Sequence, residues 1–310
     1  ILKWTGISVL VLLCILTIIV ASRQNLKYDA SYPIIKASTD SSVIARGKHL
    51  IYGPAHCITC HGPANSDSLL KAGKTIPLIG GVAFKLPVGV IYSKNITPDA
   101  ETGIGKFTDP EIGRALRYGV HPDGTVVFDF MPFHNLSNND LTAVISYLRA
   151  QKPVKNKIPE NTLNIMGKLV KAFMVKPVGP TETIQDSVKI DSSATYGKYI
   201  ALNVANCNGC HTLRDMSGAY IGEPFAGGGA FKEPGKTTLY PPNLTPDSSS
   251  RIFGWSQQMF VDRFRMGKII YYSHMPWNCF NTMSDDELKA IYKYLKTLKP
   301  AKTTVQKKES

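Results

Sequence analysis

Two short stretches of the 310-residue chain could carry chemistry, because each places two cysteines around a two-residue spacer with a histidine directly after the second. They read CITCH at 57–61 and CNGCH at 207–211. One helical turn can then present both thiols to the vinyl groups of a porphyrin while the histidine coordinates iron, which is the pattern of c-type haem attachment. A zinc site built from both pairs would join residues 150 positions apart and leave both histidines unused. We therefore predict two covalently bound haem c groups, held by Cys57, Cys60, His61, Cys207, Cys210 and His211.

The sixth iron ligand distinguishes an electron carrier from a haem enzyme with an open iron. A Met-Pro pair follows each cysteine motif by roughly 70 residues, in FMPF at 130–133 and HMPW at 274–277. A thioether sulfur stabilises ferrous iron and raises its reduction potential. We therefore predict four iron ligands and no catalytic residue, the ligands being His61, Met131, His211 and Met275. The alternative ligands are His134, His274 and Cys279, although a lone buried thiol is the simpler interpretation of Cys279.

The sequence around one motif also matches the sequence around the other. The paired segments are 46–62 with 196–212, 95–99 (NITPD) with 243–247 (NLTPD), 107–119 with 255–267, and 136–153 with 283–300. A period of this length corresponds to a whole domain. The matches predict a tandem duplication.

Each half has the pattern of a mostly helical domain. Helices are predicted over 42–56 and 193–206, leading into the motifs, and Thr108-Asp-Pro-Glu111 has the form of a capping box that opens a short helix. Apolar residues at i, i+3, i+4 and i+7 predict a last helix in each half, opened by Ser137 and Ser284. The Gly/Pro-rich stretches between them show little strand signal.

The linker at 154–190 contains an apolar stripe with helical spacing. Two interpretations stay open: a helix that packs over the domains, or a contact with a membrane surface in which Lys168 and Lys171 lie on the polar side.

The first residues of the sequence favour a membrane anchor. Residues 5–22 carry no charge, and 18 helical residues span about 27 Å, close to the apolar thickness of a bilayer. A cleaved signal peptide is the alternative, although its apolar region is normally about 7–15 residues long. The formal net charge of +13 predicts attraction to acidic surfaces, such as anionic lipid or an acidic protein.

Two further sets of polar residues invite interpretation. Asn95 and Asn243 match glycosylation sequons, but their repetition favours a loop beside the haem in which Asn and Thr bond the backbone or a propionate. Four arginines either neutralise propionates or lie on a solvated face, namely Arg114, Arg117, Arg263 and Arg265.

These motifs together resemble class I cytochrome c domains: a helix, C-x-x-C-H, a methionine loop and a last helix. The stretch from NITPD through MPF to LSNNDLTAVISYLRAQKPV is similar to the cytochrome c subunits of membrane-bound alcohol and gluconate dehydrogenases. The resemblance covers about 43–153 and 193–300, and it implies one haem with ligands His61 and Met131 and a second with His211 and Met275. Those subunits typically hold three haem domains and are anchored near the C-terminus, whereas this sequence shows two motifs and an N-terminal apolar segment.

The expected architecture is all-α, with two class I cytochrome c domains in tandem behind an N-terminal transmembrane helix. The predicted boundaries are 1–24 (anchor), 25–41 (linker), 42–153 (first domain), 154–190 (linker with a packing helix), 191–301 (second domain) and 302–310 (basic tail).

The expected function is electron transfer in a respiratory chain rather than catalysis. The haem domains would lie on the periplasmic side of a bacterial inner membrane. The expected partners are a dehydrogenase or quinol-oxidising complex as donor and a soluble cytochrome or terminal oxidase as acceptor, without nucleic acid. Two alternatives remain: a dihaem peroxidase-type enzyme, and a fixed haem subunit of an oxidase complex.

Overall fold

The computed structural model of the chain describes residues 2–215, 218–232 and 237–303, and these ranges are mostly helical. The helices are α1 (Leu2–Ser22), α2 (Ser41–Tyr52), α3 (Ile58–His61), α4 (Ser66–Lys71), α5 (Asp109–Tyr118), α6 (Asn138–Ala150), α7 (Ile165–Phe173), α8 (Ala194–Tyr199), α9 (Cys207–His211), α10 (Gln257–Arg265), α11 (Trp277–Phe280) and α12 (Asp285–Thr297). A π-helical turn, Ile200–Val204, continues α8. The strands are β1 (Ala83–Leu86), β2 (Gly89–Tyr92) and β3 (Thr162–Leu163). The predicted basic tail at 302–310 falls mostly outside the described residues.

The helix starts follow the predicted caps. Thr108 accepts a hydrogen bond from the Glu111 backbone, and the Glu111 carboxylate accepts one from the Thr108 backbone N–H at 2.7 Å, so the predicted capping box is confirmed. Ser284 opens α12 with the same reciprocal capping box, and Ser137 caps α6 by accepting a hydrogen bond from the Asp140 backbone N–H. The predicted helix over 42–56 ends earlier, at Tyr52, where Gly53 and Pro54 follow.

A small antiparallel sheet corrects the expectation of an all-α chain. β1 and β2 form a hairpin with Ala83 opposite Tyr92 and Leu86 opposite Gly89, and β3 pairs with β2. Only Pro87 and Val88 connect the hairpin strands, and Gly89 has φ +133°, a conformation that glycine adopts freely. Four-residue strands are too short for a reliable period-2 signal, so the sequence pattern of this Gly/Pro-rich segment indicates a loop rather than strands.

Two helix pairs form the frame of the structure. α2 packs against α6, and α8 packs against α12. A Cβ at Gly47 would collide with the backbone carbonyl of Ala143, and a Cβ at Gly197 would collide with that of Ala290. Each pair of helices therefore crosses with its backbones in contact, which is possible because glycine has no side chain.

A buried polar network joins the two pairs of helices. The Arg46 guanidinium donates to both oxygens of Asp140 at 2.9 and 3.0 Å, and it lies 3.4 Å from a Glu287 oxygen. His49 Nε2 lies 2.8 Å from Glu287, and the Tyr199 hydroxyl donates to Asp140 at 2.8 Å. The buried apolar residues of α2, α6, α8 and α12 also belong to one continuous core. These contacts hold the two halves together.

Among the described residues, α1 is the one helix long and apolar enough to cross a membrane, over Lys3–Ser22. Twenty helical residues span about 30 Å. Immediately after it, Arg23 Nε donates to the Ala172 carbonyl at 2.9 Å and Gln24 Nε2 donates to the Lys168 carbonyl at 3.0 Å. The end of α1 is therefore attached to α7.

Candidate haem-binding cavity

The cysteines of both motifs lie in short helical turns at one cavity. Cys57 precedes α3, Cys207 begins α9, and the second cysteine of each motif lies one turn later. All four line a cavity of ≈1310 Å³ that extends through both halves. Burial, and then the neighbouring cysteine, raise the pKa of Cys57 and of Cys207 to about 12. As free thiols these groups are therefore protonated at neutral pH.

The two motif histidines are oriented in the same way. His61 Nδ1 lies 2.8 Å from the Lys94 carbonyl oxygen, and His211 Nδ1 lies 2.8 Å from the Pro242 carbonyl oxygen. A carbonyl can only accept a hydrogen bond, so Nδ1 carries the proton and Nε2 keeps its lone pair. Burial lowers the pKa of both histidines, which favours the neutral ring. A neutral imidazole fixed through Nδ1 is the form that binds a metal.

Both predicted methionines line the same cavity and sit in matching turns. The Phe133 N–H donates to the Met131 carbonyl at 2.8 Å, and the Trp277 N–H donates to the Met275 carbonyl at 2.8 Å. Each methionine is half-buried at the cavity wall. All eight predicted site residues therefore line one cavity, and each half of the chain contributes one C-x-x-C-H motif and one methionine.

The alternative ligands have different surroundings. Both ring nitrogens of His134 have partners, because Nδ1 lies 3.2 Å from the Arg117 carbonyl oxygen and Nε2 lies 3.0 Å from Asp129 Oδ1. His134 does not line the large cavity. His274 lines the cavity, stacked on Phe231 at 4.8 Å between ring centroids. Cys279 is fully buried in the core.

Each of the repeated Asn-x-Thr-Pro-Asp segments directly follows the residue whose carbonyl binds the motif histidine, Lys94 or Pro242. Asn95 Nδ2 donates to the Val154 carbonyl at 2.9 Å, and Asn243 Nδ2 donates to the Ala301 carbonyl at 2.7 Å. Each asparagine Oδ1 also accepts from the threonine two residues on. Asn95 and Asn243 are 3% and 1% exposed, so the sequons are inaccessible in the folded chain. As expected, Asn and Thr bond the backbone, and the carbonyls they bind belong to the chain just after α6 and α12.

The four arginines do not share one role. Arg114 and Arg117 are 4% exposed and bind hydroxyl, amide and carbonyl oxygens away from the cavity, so neither lies on a solvated face. Arg265 binds the Met283 carbonyl and the Asp285 carboxylate. Arg263 is the one of these four that lines the cavity, and its buried Nη2 has no hydrogen-bond partner within the described chain.

The cavity fits the group that the motifs predict. Its volume exceeds the ~300–1,000 Å³ of a single small-molecule site, and apolar residues such as Leu136, Val144, Phe260 and Leu295 form much of its wall. A pair of thiols that can tether a porphyrin, a neutral imidazole and a thioether are the groups that hold c-type haem. The residues present therefore fit a covalently bound haem in each half.

Comparison with known proteins identifies first the class of domain. Residues 194–299 match the cytochrome c family. This match lies in the second half and includes Cys207, Cys210, His211 and Met275.

More specifically, the chain resembles named cytochrome subunits. It is 30% identical over 283 residues to the cytochrome c subunit of alcohol dehydrogenase (quinone) from Gluconobacter oxydans, which covers 84% of this chain and 55% of that protein. It is 26% identical over 290 residues to the gluconate 2-dehydrogenase cytochrome c subunit of Pantoea cypripedii, covering 86% and 62%. A diheme cytochrome c-type protein of Cereibacter sphaeroides is 25% identical over 212 residues, covering 65% and 67%.

These comparisons confirm the predicted resemblance to c-type cytochromes of dehydrogenases. The relatives are named as cytochrome subunits, which agrees with an electron-transfer protein rather than an enzyme. The chain spans a little over half the length of these two dehydrogenase subunits.

One contact at the cavity joins two residues that are far apart in the sequence. His56, at φ +40°, lies edge-on to Phe280 with ring centroids 5.5 Å apart, and both line the cavity. This contact joins the first motif to the helix after Met275. No pattern in the sequence indicates it, because residues more than 200 positions apart share no local periodicity.

Proposed function

We propose that the chain is a membrane-anchored dihaem cytochrome c that transfers electrons, built from two class I domains in tandem. One observation carries the proposal: each half contributes a complete C-x-x-C-H motif and a Met-Pro turn to the wall of one cavity. The repeated caps, glycine crossings and Asn-x-Thr loops support the duplication.

The chain's own residues would act as follows. Haem supplies a one-electron iron couple when it is bound. Cys57, Cys60, Cys207 and Cys210 would form its thioether tethers, and iron would be held by His61 with Met131 and by His211 with Met275. The hydrogen bonds from Nδ1 to Lys94 and Pro242 keep each imidazole in one orientation. Electron transfer benefits from such fixed ligands, because little has to move when the charge changes.

The membrane position follows from α1. With α1 across the inner membrane, the N-terminus would lie on the cytoplasmic side and the haem domains on the periplasmic side, where c-type haem is attached. The named relatives support a dehydrogenase as electron donor. A quinol-oxidising complex is an alternative donor, and a soluble cytochrome or terminal oxidase would accept the electrons. The charge of +13 favours acidic partners.

The test is spectroscopic. Purified full-length protein should contain two haems per chain, and the oxidised form should show the weak methionine-to-iron charge-transfer band without turning over peroxide. Met131→Ala and Met275→Ala should each open one iron and lower the potential of that haem. Met259→Ala is the matched control, since this methionine is exposed and does not line the cavity.

Three results would count against the proposal. A single haem per chain would contradict the two-site assignment. Unchanged spectra in both cavity variants would remove the methionines as ligands. A high-spin haem that reduces peroxide in the unmodified protein would favour the peroxidase alternative.

A further inference from the structure

One face of α7 is apolar and exposed to solvent. Ile165 is 81% exposed, Met166 59% and Phe173 46%, and Met174 directly after the helix is 63% exposed. Ile165, Leu169 and Phe173 are spaced by four residues and therefore lie on one side of the helix. A contiguous exposed apolar face of this kind marks an interaction surface.

The other side of α7 is held by the protein. A Cβ at Gly167 would collide with the Val88 carbonyl, so the helix backbone lies directly on the hairpin. Asn164 Nδ2, at the start of the helix, donates to the Pro87 carbonyl at 2.8 Å. The exposed face cannot turn inward without breaking these contacts.

The position of α7 beside the end of α1 indicates what covers its exposed apolar face. Arg23 and Gln24, the first residues after α1, bond carbonyls of α7, and the Arg23 guanidinium lies 5.3 Å from the centre of the Phe173 ring. If α1 crosses a bilayer, α7 must lie at the level where the chain leaves it. The apolar face of α7 then lies beside the end of α1, because Phe173 on that face contacts Arg23.

We propose that α7 is an interfacial helix whose apolar face enters the lipid layer beside α1, with Lys168 and Lys176 at the headgroups. The proposal rests on the membrane anchoring proposed above. A second attachment would fix the tilt of the haem domains over the bilayer, because a single transmembrane helix leaves the domain free to swing. The basic residues favour anionic headgroups.

The experiment uses full-length protein in vesicles of phosphatidylcholine and phosphatidylglycerol, with a nitroxide label at one cysteine at a time. Native Cys14 reports on α1. Met166→Cys in a Cys14→Ser background reports on α7, and Lys296→Cys, exposed on α12, is the matched control. We expect the labels at 14 and 166 to collide more often with oxygen than with a water-soluble nickel complex, and the label at 296 to show the reverse.

Each outcome bears on a separate statement. A label at 166 that is as accessible to nickel as the control, while Cys14 stays in lipid, overturns the interfacial helix and leaves the anchor intact. A label at Cys14 in water contradicts the proposed anchoring itself.

A second observation concerns Arg263 on α10. Its Nη1 donates to the Gly267 carbonyl at 2.9 Å and its guanidinium lies 3.6 Å from the centre of the Trp277 ring, while the buried Nη2 has no partner in the described chain. In the match of 107–119 with 255–267, the corresponding residue of the first half is Ala115, which also lines the cavity. The matched position of the first half therefore holds no cation at the cavity wall.

The charged residues of the cavity wall make the second half more positive than the first. The first half contributes Asp67, Lys94, Glu101, Glu111 and Asp123, and the second contributes Arg251 and Lys268 beside Arg263. Most of these side chains reach solvent, which screens them. The buried Nη2 of Arg263 is screened least, so Arg263 dominates the difference.

We infer that Arg263 makes the second site the one of higher reduction potential, so that electrons pass from the site of His61 to the site of His211. The inference rests on the proposed pair of haems. Reduction removes one positive charge from the iron site, and a nearby fixed cation therefore stabilises the reduced form. The corresponding Ala115 cannot do so.

The test is a redox titration of full-length Arg263→Gln, with Lys296→Gln as a control that removes an exposed charge elsewhere. We expect the variant to shift the redox equilibrium of the higher-potential haem by about tenfold toward oxidation, which is ~59 mV for one electron. Met131→His, which perturbs the first haem alone, assigns the two waves.

The inference fails if both potentials stay within error of the unmodified protein, or if the wave assigned to the first haem is the higher one. A preparation with a single haem per chain would instead contradict the proposed function, and haem content is measured first for that reason.

Discussion

Replacing Gly47 by alanine tests the close crossing of α2 and α6. The added Cβ would lie 2.9 Å from Tyr147 Cβ and inside van der Waals contact with the Ala143 carbonyl oxygen. Neither atom is the flexible end of a side chain, so the two helices must separate. Overpacking of this kind costs about 1–3 kcal/mol, and a clash with backbone belongs at the upper end of that range.

The helix propensity of alanine partly offsets this cost. Alanine is favoured over glycine in a helix by about 1 kcal/mol, which leaves a net loss of about 2 kcal/mol. For two halves that unfold together, the loss lowers Tm by about 4–8 °C. Gly197→Ala should behave alike, because its Cβ would lie 2.8 Å from the Ile291 nitrogen. Thermal unfolding of the haem-loaded protein, followed by circular dichroism, measures both.

Gly113→Ala is the matched control. Gly113 lies inside α5, and the nearest atoms to an added Cβ are side-chain carbons at 3.3 Å or more, from Pro33 and Ile145. We expect this variant to be neutral or slightly more stable. If Gly47→Ala has the same Tm as Gly113→Ala, the helices do not cross as described and the reasoning is refuted.

Three further predictions concern other parts of the structure. Burial raises the pKa of Glu287, but the hydrogen bond and charge of His49, with Arg46, outweigh it and hold this pKa below its usual value. The stabilisation is therefore complete above the unfolded pKa of about 4.3 and is lost as pH falls through the lower, folded pKa. Glu287→Gln should accordingly show a smaller fall in Tm on acidification than the unmodified protein; an equal fall would contradict the ion pair. Cys279 is fully buried and burial raises the pKa of its thiol to about 12, so iodoacetamide should modify it only at the rate of unfolding; rapid modification of Cys279 itself in native protein, identified by peptide mapping, would refute the burial. Asn243→Ala should cost about 1–3 kcal/mol in denaturant unfolding, because the Ala301 carbonyl loses one of its two donors and the buried Thr245 N–H loses its acceptor; an unchanged midpoint would show that these bonds are dispensable.

The features that were predicted correctly from the sequence depend on residues close together in the chain. The capping residues, the apolar stripes of α6 and α12 and the two cysteine motifs each depend on residues a few positions apart, and the structure has them as expected. The repeat paired each motif with one Met-Pro turn, whereas the cavity that both halves share was not predicted. A Gly-Lys pair is repeated at 47–48 and 197–198 in the sequence, but only the structure shows that Gly47 and Gly197 lie where the helices cross.

The features that sequence reasoning missed depend on distant residues or on very short elements. The network of Arg46, Asp140 and Glu287 joins positions far apart in the chain. The sequence pattern indicates propionate partners or solvated charges at Arg114 and Arg117, whereas the structure buries them against carbonyls because their surroundings come from other segments. The hairpin strands are four residues each, below the length at which alternation is distinct.

The polar network has a reciprocal form. His49 of the first half contacts Glu287 of the second, and Tyr199 of the second half contacts Asp140 of the first. In the matched segments, His49 corresponds to Tyr199 and Asp140 corresponds to Glu287. The two contacts are therefore equivalent, as in an isologous interface, where the same pair of positions meets twice. The chain thus resembles a twofold homodimer with its subunits joined end to end. Joined subunits are free to diverge, and here one contact has an imidazole where the other has a phenol. The two mirrored contacts therefore differ in chemistry, an asymmetry that two identical subunits could not have.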